Sequence, residues 1–289
     1  MKTNTVTRFA PSPTGPLHLG HAYAACIAHD MARSAQGCFL LRIEDIDQTR
    51  ARPIWEAQIS DDLHWLGLTW DGPVMRQSDR LPAYRAALQD LWQRGLIYAC
   101  TCTRRDILDA SSAPQEGADA SIGPDGPVYP GTCRHDHDGT ASLPDMALRL
   151  NMARALATLS QPLEFTETGT GPTGQTGDQA IDSEHLIHSV GDVVPARRDM
   201  GTSYHLAVVL DDAAQAITHV TRGQDLFEAT QIHVALQRIL GLPTPVYHHH
   251  RLIRDEHGKR LAKRDDARAI GTYRADGISP AQIRQMIGL

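Results

Sequence analysis

The stretch RFAPSPTGPLHLGHA, residues 8–22, constrains the fold more than any other part of the chain. Ahead of it, Val6–Phe9 reads as a short strand that runs into this Pro/Gly-rich turn. Behind it a helix is predicted from about His21 to Ala35, with Ala24, Ile27, Ala28 and Met31 along its apolar side. The run CFLLRIED comes next. Its apolar part, Phe39–Ile43, ends in two acids and suits a buried parallel strand. Strand, helix and parallel strand around a glycine-bearing first turn is the opening of a doubly wound nucleotide-binding fold.

Within that turn His18 and His21 are three residues apart, so both can face one side where loop becomes helix. Backbone N–H groups and the positive end of the helix dipole suit such a place to phosphate oxygens. Gly15 and Gly20 would let a nucleotide approach the backbone closely. An H-x-x-H spacing alone would describe two surface histidines; the flanking turn chemistry favours the phosphate reading.

From about Pro73 the character changes. Ser111–Gly131 and Thr168–Asp178 are rich in Gly, Pro, Ser, Asp and Thr, as surface loops are. They lie in a region that also holds the cluster CTC and reads as an insertion. Regular α/β character returns with YHLAVVLDD, read as a strand, then ITHVTRGQDLF, then a helix over Glu228–Leu240 closed by Gly241 and Pro243. The expected division is 1–72 and 191–250 as two halves of a Rossmann-type catalytic domain, 73–190 as the inserted subdomain, and 251–289 as a basic loop with a short helical extension.

The 289 residues, 41% of them hydrophobic, can bury a sizeable core as one large or two modest domains. A formal net charge of −6 does not advertise a nucleic-acid binder, so any such partner must meet a local basic patch. The first 25 residues lack a signal-peptide pattern, and no apolar run is long enough to span a bilayer. Five cysteines without an export signal favour a metal site over disulfides. The expectation is a cytoplasmic, monomeric protein with no membrane partner.

Three further sets of residues carry chemistry. GKRLAKR places two lysines and two arginines within a few residues, among them Lys263. After a phosphate-type turn, such a loop suits the mobile cations that meet a triphosphate. Arg8 and Glu44 end the first two strands, while Tyr204 and Arg222 begin and follow the later one. Carboxyl edges of parallel strands are where ligands bind in such folds. Two arginines and one acid match the two carboxylates and one ammonium of glutamate. Cys100, Cys102 and Cys133 form a zinc signal, with Tyr129, His135 and His137 as alternatives for a fourth ligand. Zinc there would staple a loop-rich insertion. Cys26 and Cys38 sit in apolar runs and read as core cysteines.

Taken together these residues resemble the class I aminoacyl-tRNA synthetases of the glutamyl group. HLGH is similar to their H-I-G-H signature and RLAKR to their K-M-S-K-S loop. RFAPSPTGPLHLGH, FLLRIEDID, YHLAVVLDD and VTRGQDL follow the glutamyl pattern over about Arg8 to Ile270. The resemblance implies an ATP-dependent ligase, with Arg8, Ala10, Ser12, Glu44, Tyr204 and Arg222 binding glutamate. It implies His18, Gly20, His21, Asp225 and Lys263 at ATP, which enters with Mg²⁺, and His18, His21 and Lys263 as the activating groups. Arg222 argues against a glutaminyl enzyme. Cys100, Cys102, Tyr129 and Cys133 match the family's zinc pattern, which moves Tyr129 ahead of the histidines. The chain departs from the family where Arg260 replaces the first lysine of the loop, where Ala262 replaces its serine, and in a long spacer between Cys102 and Tyr129.

Only 26 residues follow Lys263, where full-length members continue into helical domains that read the anticodon. That layout matches a shortened paralogous branch. Its members activate glutamate without tRNA and attach it to the cyclopentene-diol of queuosine, at the wobble position of tRNA(Asp). The anticodon loop itself would then enter the active site. The alternatives are an ordinary glutamyl-tRNA synthetase without its reader domain and a catalytically silent paralogue that binds tRNA or an amino acid.

Overall fold

In the computed structural model, which describes residues 5–111, 122–134, 141–254 and 268–289, β1 (Val6–Phe9) and β2 (Cys38–Ile43) pair in parallel, with Arg8 opposite Leu40. Helix α1 (Leu19–Ser34) makes the crossover between them. The helix ends at Ser34, and Gln36 just beyond it takes a positive φ. Gly37 then passes so close to the start of β1 that a Cβ would lie 1.9 Å from the Thr5 carbonyl oxygen, so glycine is required. The buried side of α1 is Ala22, Ala25, Cys26, Ala28 and Ala32, with Leu19 and Tyr23 buried in its first turn and a half, rotated from the predicted stripe of Ala24, Ile27, Ala28 and Met31. Small side chains let the helix lie close on the sheet, and the larger Ile27 packs only partly buried at the margin of the same core. Helix α2 (Pro53–Trp65), with proline in its first turn, leads to β3 (Met75–Arg76), which pairs in parallel with β2.

Helix α3 (Leu81–Gln93) feeds β4 (Ile97–Ala99), which runs antiparallel to β7 (Leu148–Leu150). Between those two strands hang α4 (Arg104–Ser111) and a tight hairpin of β5 (Ile122–Gly123) and β6 (Gly126–Pro127). After α5 (Met152–Leu156) come β8 (Leu163–Glu167) and β9 (Gly177–Ile181), then α6 (Ser183–His185), which continues as a π-type turn over Leu186–Val190.

The segment read as a strand at YHLAVVLDD is helix α7 (Tyr204–Ala214). A continuous apolar run fits a buried strand and a helix covered on most sides equally well. Here the Ser203 hydroxyl accepts the Leu206 N–H and caps a helix, and Leu206, Ala207, Val208 and Val209 are all buried. The parallel strand lies further on, as β10 (His219–Gly223), followed by α8 (Ala229–Ile239) and β11 (Val246–His250).

β10, β11 and β8 are parallel neighbours, with β9 antiparallel at the edge, so β8 and β9 within residues 73–190 are integral to this second sheet. The two sheets meet at β1 and β10. There the Val6 N–H donates to the Thr218 hydroxyl at 2.8 Å and the Thr218 N–H donates to the Val6 carbonyl at 3.0 Å. Strand order reverses at that seam, the place where doubly wound folds open a crevice at the strand carboxyl ends. One core lies under α1 and takes in Ile270 of α9 (Ile270–Ala275) with Ile283 and Ile287 of α10 (Pro280–Ile287). The other fills the space between the second sheet, α7 and α8. Among the described residues no helix is long and apolar enough to cross a membrane.

Candidate active site

The seam gathers three buried arginines. Arg8 on β1 donates from Nε to Asp212 Oδ1 at 2.9 Å and from Nη1 to the Thr221 carbonyl of β10 at 3.2 Å. Arg42 on β2 donates to that same Oδ1 at 2.7 Å and to Glu44 at 3.3 Å. Burial alone would lift the Asp212 pKa, but the guanidiniums of Arg8 and Arg42 outweigh it and hold the carboxyl below the usual range. At Glu44 burial wins: its pKa is raised despite the pull of Arg42 and Arg8. One carboxylate is thus committed to the protein's own cations, while Glu44 stands at the edge of the crevice with a weaker hold.

Arg222 on β10 is held differently. Its Nε donates to His249 Nε2 at 3.1 Å, Nη1 to His233 Nδ1 at 2.9 Å, and Nη2 to the Thr230 hydroxyl. None of these three acceptors is a carboxylate, so its charge is not cancelled by the groups that fix it.

His18 is the N-cap of α1. Its Nδ1 accepts the Gly20 N–H at 3.1 Å, and His21 Nδ1 accepts the His18 N–H at 3.2 Å. The two rings lie 3.8 Å apart, centroid to centroid. A neutral imidazole that accepts through Nδ1 carries its proton on Nε2. Both rings are therefore set as Nε2–H donors at the positive end of a 16-residue helix. The chain that returns after residue 267 is tied to this turn. Ala269 bridges His18, and the Ile270 N–H donates to the Leu17 carbonyl at 2.8 Å. Lys263, with Arg260 and Ala262, lies outside the described residues.

A cleft of about 380 Å³ brings together Arg8, Ala10, Glu44, Tyr204 and Arg222 from one predicted set. It also holds His18, Gly20, His21 and Asp225 from the other. Ser12 lines a larger adjoining cleft of about 790 Å³, and Glu44 and Tyr204 face both. Tyr204 stands at the start of α7 rather than at a strand end, one-third exposed and beside the rings of His205 and His233. Arg104, Arg197 and Arg198 line the larger cleft with Arg149.

The third predicted set also meets in space. The sulfurs of Cys100, Cys102 and Cys133 lie within 4.8 Å of one another, and the Tyr129 hydroxyl is 3.5 Å from Cys100 Sγ and 3.4 Å from Cys102 Sγ. Tetrahedral zinc would space its sulfurs by about 3.8 Å and a sulfur and an oxygen by about 3.5 Å, so this donor set fits such an ion. Arg149 donates to Cys100 Sγ at 3.3 Å, and its guanidinium lies over the Tyr129 ring. The Tyr129 hydroxyl lowers the Cys133 thiol to about 6, toward the thiolate a metal needs. His135 and His137 lie outside the described residues. Of the two cysteines read as core, Cys26 is fully buried, which pushes its thiol up to about 11, and Cys38 is half-buried.

Sequence reasoning missed Asp212, Arg42, His233, His249 and Glu167. For Asp211 and Asp212 a signal existed, since two acids closing an apolar run must be buried and paired. Asp211 accepts from Gln77, Arg80 and Tyr84 while Asp212 takes Arg8 and Arg42, so adjacent acids brace different walls.

A parallel sheet that reverses at β1, with a histidine-capped crossover helix and a nest of arginines at the seam, defines a Rossmann-type nucleotide-binding catalytic domain. The chain belongs to the family described as tRNA synthetases class I (E and Q), catalytic domain, which matches residues 4–289. It is similar to the glutamyl-Q tRNA(Asp) synthetase of Rhodobacter capsulatus, 68% identical over 289 residues that cover 98% of this chain and 100% of the relative. The protein of the same name from Geobacter sulfurreducens is 41% identical over 93% of this chain and 78% of its own length. Among solved structures, a glutamate tRNA ligase from Elizabethkingia meningosepticum in complex with its amino acid superposes with a TM-score of 0.70 at 28% identity. That match covers 91% of this chain, which spans about half (52%) of the ligase.

Proposed function

We propose that the protein activates L-glutamate with ATP, without tRNA, and then transfers it to the cyclopentene-diol of queuosine at the wobble position of tRNA(Asp). The observation that carries this reading is 68% identity over the whole length of a relative named for that reaction. In the first step a glutamate carboxylate oxygen attacks the α-phosphorus of ATP and pyrophosphate leaves with the electrons of the broken P–O bond. In the second a diol hydroxyl attacks the acyl carbon, loses its proton, and AMP departs.

In this reading Arg222 and Arg8 meet the carboxylates of glutamate and Glu44 its ammonium, with Ala10, Ser12 and Tyr204 shaping the pocket. His18 and His21 donate from Nε2 to the phosphoryl oxygens as charge builds there, joined by Lys263, while Gly20 and Asp225 border the nucleotide. No side-chain nucleophile is needed, so the acceleration comes from positioning and electrostatics. The two clefts share Glu44 and Tyr204, which supports an acceptor that enters through the larger one and reaches an adenylate held in the smaller. Mg²⁺ accompanies ATP as substrate. Cys100, Cys102, Tyr129 and Cys133 would hold one structural zinc that fixes the segment hung between β4 and β7. The reaction belongs in the cytoplasm, where its substrates are.

Glutamate-dependent ATP–pyrophosphate exchange without tRNA tests the first step. Arg222→Ala should raise the glutamate KM by on the order of 2–5 kcal/mol in binding terms, because a desolvated carboxylate loses its partner. An unchanged KM would remove Arg222 from the pocket.

A further inference from the structure

The bonds around Arg222 fix the protonation pattern of three histidines. Arginine can only donate, so His249 Nε2 at 3.1 Å and His233 Nδ1 at 2.9 Å are both acceptors. His249 therefore carries its proton on Nδ1, against Glu167, whose other oxygen accepts the His249 backbone N–H at 2.9 Å. His233 carries its proton on Nε2 and donates to His205 Nδ1 at 3.0 Å. His205 is then protonated on Nε2, 3.2 Å from Asp125 Oδ1. Two proton-ordered chains run from one guanidinium. One ends at Glu167 on β8, the other at Asp125 in the turn between β5 and β6, on the wall of the larger cleft.

We propose that His233 and His249 are positioning residues for Arg222, accepting as neutral imidazoles so that the guanidinium is fixed while its charge stays available to a ligand carboxylate. The proposal rests on the reading of Arg222 as a glutamate-binding arginine. Three of the five guanidinium N–H groups are committed to His249, His233 and Thr230. One remains on each terminal nitrogen, and a carboxylate can take that pair. A carboxylate in place of either imidazole would orient the arginine equally well but would satisfy its charge. Imidazole accepts and stays neutral. Burial in particular, then the nearby arginine, holds His233 well below its ordinary value, and burial lowers His249 too. Glu167 and His205–Asp125 act one bond further out and select the tautomer that accepts. This is where Arg222 differs from Arg8, whose guanidinium shares the Asp212 carboxylate with Arg42.

Two measurements test this. In the protein labelled with ¹⁵N-histidine, NMR at neutral pH should show opposite tautomers, Nδ1–H for His249 and Nε2–H for His233. A shared tautomer, or a charged ring at either position, overturns the proposal. In glutamate-dependent exchange, His233→Leu should raise the glutamate KM about tenfold, the scale of one buried donor left unpaired, with the ATP KM unchanged. His233→Asn, which keeps an acceptor near the former Nδ1, should recover most of that loss. Equal losses in both variants, or parallel shifts in both KM values, would mean a purely structural residue and would also overturn it. The tautomer measurement needs no variant, so it decides even if His233→Leu does not fold. Absence of glutamate-dependent exchange in the wild-type protein would sink the functional reading separately, with the tautomers still deciding how Arg222 is held.

Discussion

Asp62→Asn should flatten part of the pH dependence of stability. Asp62 lies on α2, 2% exposed, and its Oδ2 has no hydrogen-bond partner among the described residues. Burial, helped by the neighbouring Asp61 and opposed by Arg274, raises its pKa from the ordinary 3.8 to about 6. A carboxyl whose folded pKa exceeds its unfolded one binds its proton more tightly in the folded protein. Its contribution is therefore complete below about pH 3.8 and is lost as pH rises through about 6. The full swing is about 3 kcal/mol, of which about 1.4 kcal/mol is lost between about pH 5 and about pH 8. In a chain of this size that corresponds to about 2 °C in Tm. Scanning calorimetry of both proteins at the two pH values isolates the effect, because all other titrating groups are common to them. The wild-type Tm should fall about 2 °C further than that of Asp62→Asn. Parallel behaviour of the two proteins would refute the claim that Asp62 is a destabilised buried carboxylate.

Asp212→Ala takes away the carboxylate shared by Arg8 and Arg42 and leaves two guanidiniums buried at the seam; urea unfolding should register a loss of about 3–5 kcal/mol. A loss under about 1 kcal/mol would mean that the arginines do not depend on it. Cys102→Ser should abolish bound zinc and speed proteolysis between β4 and β7, whereas wild-type protein that takes up no zinc would dismiss the metal reading. Lys263→Ala should slow pyrophosphate exchange about 100-fold with the glutamate KM unchanged, as removal of a transition-state cation does; normal exchange would clear the basic loop of that role.

The turn at residues 8–22 was legible because its demands are local: glycines, a helix N-cap and two histidines at one turn's spacing. The cysteine cluster was legible because C-x-C with a third cysteine has few uses in a chain of this kind. YHLAVVLDD was not. Periodicity cannot separate a buried strand from a helix covered on most sides, and the capping serine at 203 was the decisive residue. The buried side of α1 was misplaced because alanines carry a weak hydropathy signal, yet they are what lets the helix approach the sheet. The anchors of Arg222 could not be read either. Thr230, His233 and His249 converge only after β10, α8 and β11 have packed, and HHH at 248–250 gives no hint that its middle ring reaches Glu167 across to β8.

Transfer of labelled glutamate to purified tRNAs tests the central claim most directly. The account predicts label on queuosine-bearing tRNA(Asp), with none on tRNA(Asp) that lacks queuosine and none on tRNA(Glu). Label on the terminal adenosine of tRNA(Glu) would contradict it and mark the chain as an ordinary glutamyl-tRNA synthetase.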